Sequence, residues 1–282
     1  MRFLAGVVCV PVWMGMCGAS AQQQAGLFAR YEQRMEATQH EQPNWATPLV
    51  TIAPRLEQGL RTDFVRQSIA AGQTMWNYGG TKGLQFVPLR HVELQVSPPP
   101  FFTHSNPKVE DGFGDFSLRM KYRVVASPET KHNAIVTAVL AGSIPTGKSG
   151  NGSCCAILTP TLEAGKGFGK LDVIAAGSGT LPVTGAKTLG RTAVLNEALQ
   201  YHATKLLWVE TEFNSTIFRG GKNDGREQTF ATPGVVVSRM QLRRGAVSGE
   251  RLALTLAAGE QIALTHFNTY NHSPIFSARL RF

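Results

Sequence analysis

A phosphate-binding formula is the first pattern in this chain that would do chemistry. Residues 142–149 read GSIPTGKS, which satisfies the GxxxxGK[ST] rule for loops that cradle nucleotide phosphates. Such a loop must lead into a helix whose N-terminus holds the phosphates. Here residues 150–153 read GNGS, a run that breaks helices. We therefore interpret the motif as a glycine-rich hairpin loop and predict no nucleotide.

Cysteine thiols and histidine imidazoles are the next groups that could bind a metal or react. The chain has four cysteines, of which two lie in an apolar N-terminal run and two, Cys154 and Cys155, are neighbours. A vicinal pair can bond to itself or bind a soft metal, but no further Cys or His stands at ligand spacing. The spacing of His266 and His272 also matches no standard metal site. We predict neither a metal nor a cofactor.

A membrane-embedded hydrolase is the remaining catalytic hypothesis. Such an enzyme needs a nucleophile, a base and an orienting group, and Ser215, His202 and Asn214 offer these types. Their spacing does not favour catalysis over the filling of a barrel interior. We predict that the protein is not an enzyme.

The N-terminus indicates export. Arg2 precedes a nearly continuous apolar run over residues 3–17, and Ala19-Ser20-Ala21 places small residues where signal peptidase cuts. A retained membrane helix is the less favoured alternative, because the run is short and contains Pro11. We predict a cleaved signal peptide over residues 1–21.

Residues 22–48 differ from the rest of the chain in being polar and rich in Gln and Glu. Leu27, Tyr31 and Met35 stand at helical spacing within them. The segment predicts a short amphipathic helix or a loose leader. We assign it as a periplasmic N-terminal extension that is either solvated or partly inserted into the lumen.

From Leu49 to Phe282 the apolar period changes to two, which predicts strands with one apolar and one polar face. The clearest case is Phe116, Leu118, Met120, Tyr122 and Val124, which alternate with Asp115, Ser117, Arg119, Lys121 and Arg123. Turn residues separate twelve such segments. They cover residues 49–66, 77–87, 91–96, 115–125, 133–144, 156–165, 171–182, 192–203, 206–218, 227–238, 251–262 and 273–282.

These strands predict an all-β, transmembrane, antiparallel up-and-down barrel over residues 49–282. After the N-terminal run no stretch is long and apolar enough for a spanning helix, so lipid would permit only a closed barrel. Short links fall mostly on the side of the termini and longer ones opposite, as in outer-membrane barrels of Gram-negative cells. The net charge of +9 would suit nucleic acid, but no nucleic-acid-binding signature accompanies it.

The last strand carries the clearest location signal. Phe276, Leu280 and Phe282 lie on its apolar face, and a terminal Phe resembles the signal read by the outer-membrane assembly machinery. The runs Asp111–Leu118 and Ser143–Gly147 resemble the outer-membrane β-barrel family labelled MetA-pathway of phenol degradation. That resemblance implies an outer-membrane channel that takes up hydrophobic or aromatic compounds, with outer-membrane lipid and the assembly machinery as partners.

The polar faces of the strands define the predicted lumen. We expect it to contain Arg55, Glu57, Arg61, Asp63, Glu93, Asp115, Arg119, Lys121, Arg123, Glu210, Glu212, Arg279 and Arg281. Barrel closure puts the first strand beside the last, so Arg55 and Arg61 would share a wall with Arg279 and Arg281. Such a cationic stripe would favour anionic solutes. Alternatively, these charges pair across the lumen and stiffen a plugged barrel.

Three functions remain open. The first is a narrow channel or transporter for a small solute, aromatic or anionic. The second is a closed structural or surface-interaction barrel without transport. The third is a soluble periplasmic β-barrel binder, in which the apolar face would point inward and the charged face outward.

Overall fold

The computed structural model describes Gly26 and residues 30–80, 82–148, 150–243 and 252–282. The predicted signal peptide and Leu27 lie outside these residues. The α-helices described in this part of the chain are α1 over residues 30–40 and the short α2 at Ala186–Leu189, and single 3-10 turns lie at Ala70–Gly72 and Gly221–Asn223. None of the described helices has the length and apolar character that a membrane crossing requires.

Fifteen strands make up most of the rest of the described residues. They are β1 (Gly59–Ser68), β2 (Thr74–Tyr78), β3 (Leu84–Leu89), β4 (Val92–Ser97), β5 (Phe101–His104), β6 (Gly112–Phe113), β7 (Phe116–Ser127), β8 (Ala134–Ile144), β9 (Ile157–Phe168), β10 (Leu171–Pro182), β11 (Arg191–His202), β12 (Leu207–Arg219), β13 (Glu227–Arg243), β14 (Leu252–Ala263) and β15 (His272–Arg281).

These strands form one closed antiparallel barrel. Each of β7 to β15 pairs with its neighbour in sequence, and β15 returns to β1. Three barrel strands each consist of two successive segments, namely β2 and β3, β4 and β5, and β6 and β7. For example, β1 is hydrogen-bonded to β2 along its second half and to β3 along its first half. The barrel therefore has twelve strands, as the sequence predicts.

Three adjacent barrel strands are interrupted. The first break contains Gly79 and Gly80, whose φ angles of 106° and 60° a pleated strand cannot accommodate. Residues 98–100, three prolines, break the next strand because they cannot donate to a ladder. Residues 114–115 break the third. The prediction of one continuous strand over residues 77–87 is therefore wrong, and the predicted link over residues 97–114 contains β5 and β6.

The two faces of the wall have opposite character. Leu118, Met120 and Tyr122 on β7 are exposed outward by 52%, 46% and 51%, whereas Lys121 and Arg123 on the opposite face are buried inside. An apolar outer band around a polar interior is the pattern of a membrane barrel. The soluble binder, which requires the inverse arrangement, is therefore wrong.

The first predicted strand begins ten residues too early. Residues 41–58, which we call the plug, have no strand pairing and lie inside the barrel, where Ala46 and Leu49 pack against Trp208, Val236, Ala257 and Ile275. The alternation after Leu49 that predicts a strand places side chains against the lumen wall instead. Helix α1 precedes the plug and agrees with the helical spacing of Tyr31 and Met35.

The two ends of the barrel differ. The terminal end, where β1 begins and β15 finishes, has links of two to six residues between its described neighbouring strands. The loop end has links of five to twelve residues. Strand β13 runs past its predicted end at Ser238 to Arg243, with a register shift beside Arg239.

Candidate functional site

Two arginines at the seam of the barrel hold the middle of the plug. Arg61 on β1 and Arg279 on β15 are opposite each other in the strand register. Both donate to the carbonyl of Pro48, over 3.3 Å and 2.6 Å, and they also reach the carbonyls of Leu49 and Thr47 respectively. Both side chains are buried. The seam therefore carries adjacent cations that are stabilised by plug carbonyl dipoles and, at Arg61, by the Asp63 carboxylate at 2.9 Å.

Cations of β7 hold the second half of the plug and the last turn of helix α1 in the same way. The Nζ of Lys121 donates to the carbonyls of Ala53 at 2.9 Å and Arg55 at 3.3 Å. Arg123 donates to the carbonyl of Thr38 at 2.8 Å. Because these carbonyls have no strand partner, the wall cations supply the hydrogen bonds that buried main-chain groups need.

Carboxylates of the wall receive the N–H groups of the plug. Glu210 and Glu212 on β12 accept from the N–H groups of residues 49–51. Glu93 on β4 accepts from the N–H of Glu57 at 2.6 Å. Hydrogen bonds that involve a charged group each contribute about 1.5–3 kcal/mol. The plug is therefore held mainly by hydrogen bonds between side chains of the wall and main-chain groups of the plug.

Glu57 is the acidic anchor on the plug itself. Its carboxylate lies 3.9 Å from Arg55 and accepts from the hydroxyl of Thr47. Burial raises the pKa of Glu57, but Arg55, Lys121, Arg279 and the Thr47 hydroxyl together outweigh burial and lower that pKa to about 2. The side chain stays charged inside the barrel because several donors surround it.

Glycines in the strands form sockets for two plug side chains. A Cβ on Gly234 or on Gly259, which are paired across β13 and β14, would stand 2.7 Å from the Cδ1 of Leu49. A Cβ on Gly165 would stand 2.4 Å from the ring of Trp45. Only glycine fits at these positions while the plug is seated.

A few inward charges do not touch the plug. Glu163 on β9 is fully buried, and neither of its carboxylate oxygens has a hydrogen-bond partner among the described residues. Arg119 donates to Gln95 at 3.0 Å, but its Nε has no such partner. Arg119 and Lys82 lie within electrostatic range of Glu163. This cluster is enclosed inside the barrel.

The charges divide the lumen into two walls. Strands β1, β7 and β15 carry the cations Arg61, Arg119, Lys121, Arg123 and Arg279, whereas β9, β10 and β12 carry the carboxylates Glu163, Asp172, Glu210 and Glu212. Two further carboxylates lie on the cationic side within ion pairs, Asp63 with Arg61 at 2.9 Å and Glu93 with Lys121 at 3.4 Å. A solute in the lumen would face a cationic wall and an acidic wall.

The residues predicted to line the lumen lie in three places. The inner faces of strands hold Arg61, Asp63, Glu93, Arg119, Lys121, Arg123, Glu210, Glu212 and Arg279. Arg55 and Glu57 lie in the lumen too, but on the plug and not on a strand. Arg281 is half-buried at the terminal end, where it donates to Gln39 at 3.1 Å.

Asp115 is a correction to the predicted lumen set. It falls in a strand break and accepts from the N–H groups of Gly147 at 2.9 Å and Ser153 at 2.7 Å. Because β7 begins only at Phe116, Asp115 shapes the neighbouring loop and does not line the lumen. The run that matches the phosphate-binding formula thus leads from the end of β8 into a hairpin loop, as the sequence predicts, and β9 follows that loop.

The proposed assembly residues lie where the last strand meets the outside. Phe276 and Phe282 are exposed by 54% and 45%, and Leu280 is half-buried on the same outward face of β15. Their reading by the assembly machinery stays a prediction.

The catalytic candidates are not assembled. His202 contacts the Asp172 carboxylate near the terminal end, while the Ser215 hydroxyl lies 3.0 Å from that of Thr229. Asn214 faces the lumen and donates to another amide. No nucleophile, base and orienting group therefore meet among these residues.

The metal candidates are also separate. The Sγ atoms of Cys154 and Cys155 lie 2.8 Å apart in an exposed loop, and His272 lies 2.9 Å from Glu260. Across the described ranges no group of three or more His, Cys, Asp or Glu side chains is placed to hold a metal.

Several residues of the plug sockets and of the lumen wall are not identified by the sequence alone. The signal at Gly234 and Gly259 is an isolated glycine inside a strand pattern, which indicates a close approach of another group. Glu163 and Asp172 lie in segments whose alternation is weaker. No local pattern pairs Pro48 with residues more than two hundred positions away.

The fold is similar to that of the COG4313 outer membrane channel from Pseudomonas putida F1. The TM-score is 0.58 at 13% sequence identity, over 84% of this chain and 100% of that chain. OmpTdeltaL8, a loop L8 deletion mutant of the outer membrane protein OmpT of Vibrio cholerae, matches with a TM-score of 0.32 at 9% identity, over 79% of this chain and 96% of that chain.

No protein-family model and no curated protein matches the chain. The resemblance to the phenol-degradation family therefore stays a prediction. What the structural likeness supports is an outer-membrane type of β-barrel.

Proposed function

We propose that this protein is a narrow outer-membrane channel for a small solute, with the plug as its gate. The chain would reach the membrane by export behind a cleaved signal peptide, and its terminal strand would be read by the assembly machinery. The terminal end of the barrel would face the periplasm and the loop end the outside.

One observation carries the gate: the plug is held by side chains and not by strand pairing. Its withdrawal breaks no barrel ladder, so the wall can stay closed on itself while the lumen opens. The hydrogen-bond partners that the plug leaves behind on the wall are mostly charged groups that water can solvate. The interactions that retain the plug are thus different from those that hold the barrel closed.

The exposed wall would favour a small anion. Withdrawal of the plug frees Arg61 and Arg279, which join Arg119 and Lys82 along the cationic side of the lumen. Rings and stripes of charge set the selectivity of pores. The similar Pseudomonas putida protein is described as a channel. An aromatic solute rests only on the resemblance to the phenol-degradation family.

The experiment compares ionic current through planar bilayers for the full chain and for a variant that lacks residues 22–58. Heat-dependent migration on gels checks that each forms a barrel. We expect small or brief currents from the full chain and larger, stable, anion-preferring currents from the variant. A folded variant that carries no current would contradict the channel and favour the closed structural barrel. The observation that supports that alternative is the set of hydrogen bonds that holds the plug along its length.

A further inference from the structure

An apolar groove crosses the outer surface of the barrel near the terminal end. Its volume is about 470 Å³, and it runs over strands β7 to β10. The outward side chains that line it are Val125, Val136, Ala164, Phe168, Val173 and Ala175. The depression exists because Ala164 and Ala175 are opposite each other across β9 and β10, where larger side chains would fill the surface.

The wall behind the groove is thin. Ile135 and Gly165 also line the groove, and on the inner side the Trp45 ring packs against both positions. The space cannot deepen inward while the plug is seated. The groove therefore offers an elongated apolar surface that a flexible chain can cover.

One end of the groove is basic. His132 and Lys166 lie at its rim, and the exposed Lys131 and Lys170 belong to the adjoining turns. The Nζ of Lys166 donates to the carbonyl of His132 and lies 6.0 Å from the Phe168 ring centroid, which leaves ammonium donors free. The acidic residue of these turns, Glu129, is engaged by the N–H of Asn44 at 3.1 Å.

The depth of the basic rim matches a membrane interface. Lys166 lies two residues before the end of β9, so it stands within about 10 Å of the strand end. Lysines at that level meet the phosphates of lipid head groups while apolar side chains farther along the strand meet acyl chains.

We propose that this groove is a binding site for one anionic glycerophospholipid of the periplasmic leaflet. An acyl chain lies over Ala164 and Ala175, and the phosphate group accepts from Lys166 beside His132. This site rests on the periplasmic orientation given in the proposed function, but it does not require the lumen to open.

The test is native mass spectrometry of the full chain, delipidated in detergent and then mixed with phosphatidylglycerol or phosphatidylethanolamine. We expect one retained phosphatidylglycerol per barrel and a several-fold smaller retained fraction for Ala164→Phe, which fills the groove. Ala193→Phe is the matched control, because Ala193 is an outward alanine on β11 outside the groove. Equal retention by the two Phe variants would overturn the site.

A second variant tests the contact between Lys166 and the lipid head group. Lys166→Gln should lose the preference for phosphatidylglycerol over phosphatidylethanolamine, and an unchanged preference would overturn the phosphate contact. Lipid A is offered as a third lipid, and its retention without retention of either phospholipid would overturn the assignment to the periplasmic leaflet. Because these measurements require no current, a silent channel with a retained lipid would contradict only the proposed function.

Discussion

Arg61 and Arg279 face each other across the seam that closes the barrel, and both donate to the carbonyl of Pro48. Like charges directly opposite on neighbouring strands destabilise a sheet. Here the plug supplies the electronegative groups that offset this repulsion. The strands that close the barrel thus also hold the plug, which couples the seam to the state of the lumen.

Arg279→Met should loosen the plug. The substitution removes donors to two buried carbonyls, and each charged hydrogen bond contributes about 1.5–3 kcal/mol. We expect more frequent openings of the full chain in planar bilayers. Arg219→Met, an exposed position at the loop end, is the control and should leave the opening frequency unchanged. Equal frequencies in both variants would argue against a role for the seam.

Gly234→Ala should displace Leu49 from its socket. The added Cβ would stand 2.7 Å from the leucine Cδ1, and overpacking of this kind costs about 1–3 kcal/mol. Limited proteolysis of the folded barrel should then cut the plug faster than in the wild type. Gly177→Ala serves as the control, since nothing lies within 4 Å of the Cβ it adds. Indistinguishable cleavage in the two variants would refute the socket.

Glu57 should make stability depend on pH in the acid range. Its pKa of about 2 in the folded protein lies below the ordinary value of 4.5, so its contribution is present above pH 4.5 and is lost as the pH falls toward 2. Thermal unfolding midpoints of the wild type and Glu57→Gln should therefore converge over that interval. A difference that stays constant would contradict the charged state of Glu57.

Glu163 and Arg119 should tune ion preference in opposite directions. In the variant without residues 22–58, Glu163→Gln removes a negative charge from the acidic wall and should increase anion preference, whereas Arg119→Gln should decrease it. Reversal potentials in a potassium chloride gradient measure both. Shifts of the same sign, or none, would show that these side chains do not face the conducting path.

The sequence predicts the barrel well because alternation is a local property. The alternation along β7 and along the terminal strand each indicates an outward face, and a closed ring is the arrangement that lipid permits. The strand breaks are harder to predict. Glycine and proline indicate that a strand is interrupted, but they do not indicate that the three interrupted strands are neighbours in the barrel.

The plug is where sequence reasoning fails, for a physical reason. Leu49 to Glu57 alternate like a strand, yet their partners are side chains from β1, β4, β7, β12 and β15 and not a neighbouring ladder. The charged residues of the lumen accordingly form neither a cationic stripe without partners nor ion pairs that span the barrel. They are mostly ligands for a peptide backbone, which only the folded arrangement reveals.

A reversible cross-link between the plug and the wall tests the gate most directly. Leu49→Cys with Gly234→Cys, in a background of Cys154→Ser and Cys155→Ser, places one thiol on each side of the socket. The account predicts negligible current while the cross-link is formed and openings after a reducing agent is added to the same bilayer. Currents that are identical before and after reduction would contradict the claim that the plug closes the lumen.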